Sequence, residues 1–160
     1  MLVLTLDQIT IQTEDFNVAQ EHQCLLQDAP NIGAIVTFTG LVKEFTKDDN
    51  TSLFLEHYST MTEKVLADII QQAKQRWPII NSRIIHRIGH LQLGEQIVFV
   101  GANSPHRSDA FAACEFIIDF LKTEAPFWKK EITSEGESWV DAKESDRKTR
   151  ERWYNFIESG

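Results

Sequence analysis

The chain has 160 residues, enough to bury a core of its own, and sets 24 aspartates and glutamates against 16 lysines and arginines, a formal net charge of -8. That balance argues against a general nucleic-acid binder, and no apolar run is long enough to span a bilayer. Residues 1–6 lack the basic start and long apolar stretch of a secretory signal, so a cytoplasmic protein of one domain, residues 1–160, is expected.

Residues 2–12 alternate apolar and polar side chains, as an edge strand does. Residues 15–26 read as a helix with a loose apolar face, and 29–33 as a turn. The run Gly-Ala-Ile-Val-Thr-Phe-Thr-Gly, residues 33–40, is β-rich and bounded by glycines. Residues 43–51 read as a polar, charged loop, and 52–58 alternate as a strand. Thr60-Met-Thr-Glu63 has the pattern of a capping box. Val65, Leu66, Ile69, Ile70, Ala73 and Trp77 then recur at helical spacing until Pro78 stops the run. Residues 82–88 and 96–101 read as strands joined by a tight connection, 89–94. Ser104-Pro105 suits a helix start, with serine as cap and proline in the first turn. That helix is expected to reach about Lys122. Residues 130–140 suggest two short strands around a glycine turn, and a charged helical tail follows from about 143. Strands and helices mix without regular βαβ alternation, which predicts an α+β fold with a largely antiparallel sheet.

Two basic clusters stand out in this acidic chain. The first is Lys122-Thr-Glu-Ala-Pro-Phe-Trp-Lys-Lys130. Pro126 cannot continue a helix, so Lys122 falls in a last helical turn and Lys129 on the departing segment. Two ammonium groups aimed at one place would suit an anion. A lysine favoured by the helix dipole, or snorkelling beside Phe127 and Trp128, would look the same. The second cluster is His106-Arg107 at a helix start, where free amides and an arginine fork favour phosphate or carboxylate. A capping histidine and a surface ion pair are the simpler alternative. The two clusters sit at opposite ends of one helix, so their convergence would require a dimer. Cys24 and Cys114 share no motif, the five histidines show no metal-ligand spacing, and no nucleophile elbow or phosphate-binding loop is present.

Taken together, a series of segments resembles the large, catalytic subunit of molybdopterin synthase. They include Gly-Ala-Ile-Val-Thr-Phe-Thr-Gly40, Leu-Glu-His-Tyr58, Met-Thr-Glu-Lys64, Ile-His-Arg-Ile-Gly89, His-Arg-Ser108, Phe-Leu-Lys-Thr-Glu-Ala-Pro-Phe-Trp-Lys-Lys-Glu131 and Trp-Val140. Their order and spacing hold from about Gly33 to Trp153. The resemblance implies an α/β-hammerhead-type fold with an additional antiparallel sheet, and a homodimer at the core of a heterotetramer. Its partner would be a small ubiquitin-like sulfur-carrier subunit whose C-terminal Gly-Gly tail carries a thiocarboxylate. Two sulfurs would pass to cyclic pyranopterin monophosphate to form the molybdopterin dithiolene, with no metal or other cofactor in this subunit.

By the same resemblance, Lys122 and Lys129 are the catalytic pair, Lys122 beside the carrier tail and Lys129 in acid/base work at the pterin. Substrate binding would fall to Leu41, Val42, Lys43, His106, Arg107, Lys130, Glu131 and Lys143, the last reaching a neighbouring subunit's pocket. The family usually has Lys-Val-Arg where this chain reads Leu41-Val42-Lys43, and arginine where Lys143 stands. Lysine keeps the charge but loses the bidentate fork. Those departures leave one alternative, a non-catalytic module that binds a carrier tail or a phosphate ligand.

Overall fold

A computed structural model describes residues 7–26, 30–44, 51–140 and 144–155. The first sheet holds β1 (Asp7–Gln12), β2 (Ala34–Leu41), β4 (Ser82–Arg87) and β6 (Gln96–Ser104), in the order β1-β4-β6-β2. β1 pairs with β4 in parallel; the other pairings are antiparallel. The second sheet, antiparallel throughout, holds β3 (Ser52–His57), β5 (Gly89–Gln92), β7 (Phe127–Thr133) and β8 (Gly136–Val140), in the order β5-β3-β7-β8. Four helices complete the fold: α1 (Val18–Cys24), α2 (Met61–Arg76), α3 (Arg107–Glu124) and α4 (Glu144–Asn155). The architecture is α+β, and no described helix is long and apolar enough to cross a membrane.

The near-continuous apolar runs of β4 and β6 are explained by burial on both faces. Ile84, Val98, Val100 and Ala102 pack with the apolar stripes of α2 and α3. Ile85 and Phe99 face the other way, onto Phe16 and Leu25. Phe116 centres an aromatic knot, with ring centroids 5.4 Å from Trp77, 5.5 Å from Trp153 and 4.4 Å from Phe120. Trp153 anchors α4 onto α3, and its indole N–H donates to Asp119 at 2.8 Å. A side chain at Gly33 would clash with the backbone carbonyl of Pro105, 2.1 Å from an ideal Cβ. Glycine there lets β2 start against the loop that opens α3.

Several sequence expectations change. The first helix is shorter than 15–26 because the Asn17 side chain accepts from Gln20 N and starts it late. Residues 89–94 are not merely a connection: Gly89–Gln92 is a strand of the second sheet. Ser104 is buried as the last residue of β6, and His106 takes the N-cap position of α3. The capping box is absent. Thr60 makes no side-chain cap bond, has φ 72° and ψ -50°, and Met61 N donates to Ser59 O at 2.9 Å. This is a γ-turn, a strained geometry for threonine. It allows α2 to begin four residues after β3 ends.

Candidate active site

α3 stops where the sequence requires it. Ala125, held extended by Pro126, closes the helix with φ -71° and ψ 131°, and Phe127 begins β7. Lys122 therefore lies in the last helical turn and Lys129 on the returning strand. Two contacts pin the turn between them. The Thr62 hydroxyl donates to the Pro126 carbonyl at 3.5 Å, and the His86 ring stacks on Phe127 at 3.7 Å, 14° from parallel. His86 Nδ1 lies 2.8 Å from the Arg87 carbonyl, which makes that nitrogen the protonated one in the neutral ring. Burial lowers the His86 pKa to about 4, so the ring is neutral near pH 7.

A groove of about 480 Å³ runs between β2 and α3. β2 lies at the edge of its sheet, and α3 offers Phe111, Cys114, Ile118 and Lys122, a stripe at helical spacing. Lys122 is the cationic side chain among the described residues that line it. Two acids, Glu115 and Asp119, also line the groove, and both are engaged by Arg152. Their carboxylates raise the Arg152 pKa above its ordinary value. Cys114 is buried, which pushes its thiol up to about 12, too high for a nucleophile at neutral pH.

The alternation of β7 divides the first cluster. Phe127, Lys129 and Glu131 face the same side as Leu53, Leu55 and His57 of β3. Val42, just past β2, packs with Leu53, Leu55 and Leu91 on that side. Val42 thus lies on the face of the second sheet that also carries Lys129 and Glu131. Leu41 and Lys43 are exposed, whereas Val42 is buried and both its backbone groups are bonded, to Glu95 O and Gly94 N. Val42 positions its neighbours and has no exposed side chain to offer a ligand. Lys130 faces the opposite side. It lies over Phe54 and Trp139, 5.4 and 5.0 Å from their ring centroids, and pairs with Glu137 at 3.0 Å.

His106 and Arg107 are exposed at the far end of α3. Fifteen residues separate Arg107 from Lys122, roughly 22 Å of helix. One chain therefore carries Lys122 in the last turn of α3 and Lys129 and Glu131 on the strand that follows, and leaves His106 and Arg107 at the other end of the helix. Lys122 lines the β2–α3 groove, whereas Lys129 lines a separate one of about 370 Å³ with Trp128, Trp139 and Val140. Lys143 lies outside the described residues. Sequence reasoning missed Phe111 and Ile118 as groove residues. Their spacing was legible, but helical periodicity does not tell a packed residue from one overhanging a sheet edge. Among the described residues no three metal-ligating side chains cluster.

Known proteins resemble this chain over most of its length. Residues 11–124 match the family model of the MoaE protein. The chain is 52% identical to the molybdopterin synthase catalytic subunit of Vibrio cholerae, over 91% of this chain and 97% of that one. The solved molybdopterin biosynthesis MoaE protein from Burkholderia ambifaria superposes with a TM-score of 0.78 at 48% identity, covering 91% and 97% of the two chains. The molybdopterin synthase structure from Staphylococcus aureus gives 0.75 at 39% identity, covering 82% and 96%. With lysines in place on both sides of the Pro126 turn, the chain belongs to the MoaE family, the catalytic subunits of molybdopterin synthase.

Proposed function

We propose that this subunit transfers two sulfurs from the thiocarboxylated Gly-Gly tail of a small ubiquitin-like carrier protein to cyclic pyranopterin monophosphate. The observation that carries this reading is the pairing of Lys122 at the end of an open groove with Lys129 just across the Pro126 turn. An extended tail lies along the groove between β2 and α3, and its anionic end meets Lys122. The sulfur arrives on the carrier, so the chain needs no reactive thiol, in keeping with the buried Cys114. Each transfer forms a carbon–sulfur bond at a pterin side-chain carbon as a carbon–oxygen bond there breaks, and water cleaves the carrier's acyl carbon–sulfur bond to return its tail as a carboxylate. Lys129 handles the proton exchange at the pterin, and its positive charge stabilises the negative charge that develops as the cyclic phosphate opens. Glu131, on the same face as Lys129, and Lys43, next to Val42, hold the substrate. The reaction takes place in the cytoplasm and uses no metal of this subunit.

The separation of the two basic clusters supports a homodimer. His106 and Arg107 cannot reach Lys122 of their own chain, and a second copy brings them to its neighbour's lysines to bind phosphate. Lys143 crosses in the same way. The exposed face of the second sheet, with Trp128 and Trp139 43% and 60% exposed, supplies apolar surface for that contact. Two carriers then complete a heterotetramer.

The test is to mix the purified chain with thiocarboxylated carrier and cyclic pyranopterin monophosphate and assay dithiolene product. Product that disappears with Lys122→Ala and Lys129→Ala is expected. Carrier binding with no product from the unaltered chain would replace this reading with a binding module. A mixture of Lys129→Ala and Arg107→Ala chains should regain activity in mixed dimers, since one of the two sites then has both residues.

A further inference from the structure

His57 shares the sheet face that carries Lys129, Glu63 reaches His57 from α2, and the functional reading so far leaves both unused. His57 ends β3 opposite Phe127, and Leu55 lies opposite Lys129. His57 and Lys129 are thus diagonal neighbours on one face of the sheet. Such neighbours stand roughly 7–8 Å apart, within the span of a lysine side chain. Glu63, in the first turn of α2, closes on His57 from above the sheet, with Oε1 3.7 Å from His57 Nε2. Its other oxygen, Oε2, is shielded from water and has no hydrogen-bond partner among the described residues, although the side chain as a whole is 42% exposed. A carboxylate oxygen held out of water without a donor is costly, and such cost is tolerated where it serves a neighbouring group.

The backbone builds this approach. The γ-turn at Thr60 folds α2 back over the end of β3, and Thr62 N donates to Tyr58 O at 2.9 Å. The hydroxyl of Thr62, next to Glu63, holds the Pro126 carbonyl between the two lysines. The first turn of α2 therefore touches both the end of β3 and the turn that sets Lys129. Strained backbone concentrates where it places functional groups. An ordinary surface ion pair needs none of this and contributes little.

We infer that His57 and Glu63 form a positioning pair for Lys129. The Glu63 carboxylate orients the imidazole, and together they set where the Lys129 ammonium stands against the pterin. This rests on the role given to Lys129 above.

The test compares Glu63→Gln, His57→Gln and Glu63→Asp in the full assembly with carrier and substrate. Both glutamine variants should lose about tenfold or more in kcat, with KM for the pterin and carrier affinity within about twofold of the unaltered chain. Glu63→Asp, which keeps the carboxylate, should regain part of that loss. Acylation of Lys129 by acetic anhydride, read by peptide mass spectrometry, should change about threefold or more in Glu63→Gln. A merely structural role would leave that reactivity unmoved. Normal kcat in both glutamine variants, or unchanged Lys129 acylation, overturns the inference. A Lys129→Ala control separates the failures. If it keeps full activity, the reading of Lys129 itself is wrong. If it is inactive while Glu63→Gln turns over normally, only the pair is wrong.

Discussion

The two sheets of this protein are built from similar strands and used differently. The first is covered on both faces: β4 and β6 put Ile84, Val98 and Val100 under α2 and α3, and Ile85 and Phe99 against Phe16 and Leu25. The second is covered on one side only in part. Its inner face carries a small cluster of Val42, Leu53, Leu55 and Leu91 beside Lys129 and Glu131. Its outer face leaves Trp128 and Trp139 exposed and sets Lys130 among aromatic rings. A sheet buried on both faces has little room for charge, because an unpaired buried charge is costly. The half-covered sheet can hold lysines at the edge of an apolar surface, where they can still meet a ligand. The larger apolar core thus lies on the first sheet, whereas the proposed acid/base lysine stands on the second, with α3 joining the two.

That contrast can be broken at four places. Phe116→Ala empties the aromatic knot over the first sheet and should cost about 4 kcal/mol of stability, read by urea unfolding. A loss below about 1 kcal/mol would mean that the first sheet is not the stabilising one.

His86 joins the sheets through its stack on Phe127. In the unfolded chain its ring takes up a proton below about pH 6.5, and in the folded chain only near 4. The unfolded state binds more protons across that window, so stability contributed by the neutral ring is present above pH 6.5 and is lost as pH falls toward 4. Phenylalanine binds no proton in either state. His86→Phe should therefore lessen the acid-induced loss by up to about 3 kcal/mol, seen as urea midpoints that fall less between pH 7 and 4. Parallel pH curves for the two proteins would remove His86 from the account.

Lys129→Ala should reduce turnover about 100-fold, equivalent to about 2.7 kcal/mol, with carrier binding and thermal stability little changed. An equal loss of carrier binding would move Lys129 to the docking surface. Trp139→Ala should change monomer stability by less than about 0.5 kcal/mol, as suits an exposed side chain. It should nevertheless weaken self-association about tenfold, measured by sedimentation. Unaltered self-association would place the homodimer contact elsewhere than on the outer face.

Much of this molecule is legible in its chain. The apolar periodicity of residues 65–77 located α2, Pro126 located the end of α3, and the glycine within 130–140 located the β7–β8 hairpin. The capping box at Thr60 misled, because a hydroxyl and a carboxylate three residues apart fit a cap only if the backbone enters extended, and a tight γ-turn enters instead. Residues 89–94 misled because four residues paired along the edge of another sheet resemble a loop when read alone. At the site, the two lysines around Pro126 were visible as a local pattern. The opposite facing of Lys129 and Lys130 follows from strand alternation, but only once β7 is known to begin at Phe127.

By itself, then, the sequence determined the elements, the family and the lysine pair, since these rest on local spacing and on the order of motifs along the chain. Tertiary structure decided which lysine shares a sheet face with Leu55 and His57, that His106 and Arg107 stand a helix length from Lys122, and that Glu63 closes on His57. Those facts depend on strand register and on how elements distant in sequence pack, and no local pattern carries that information.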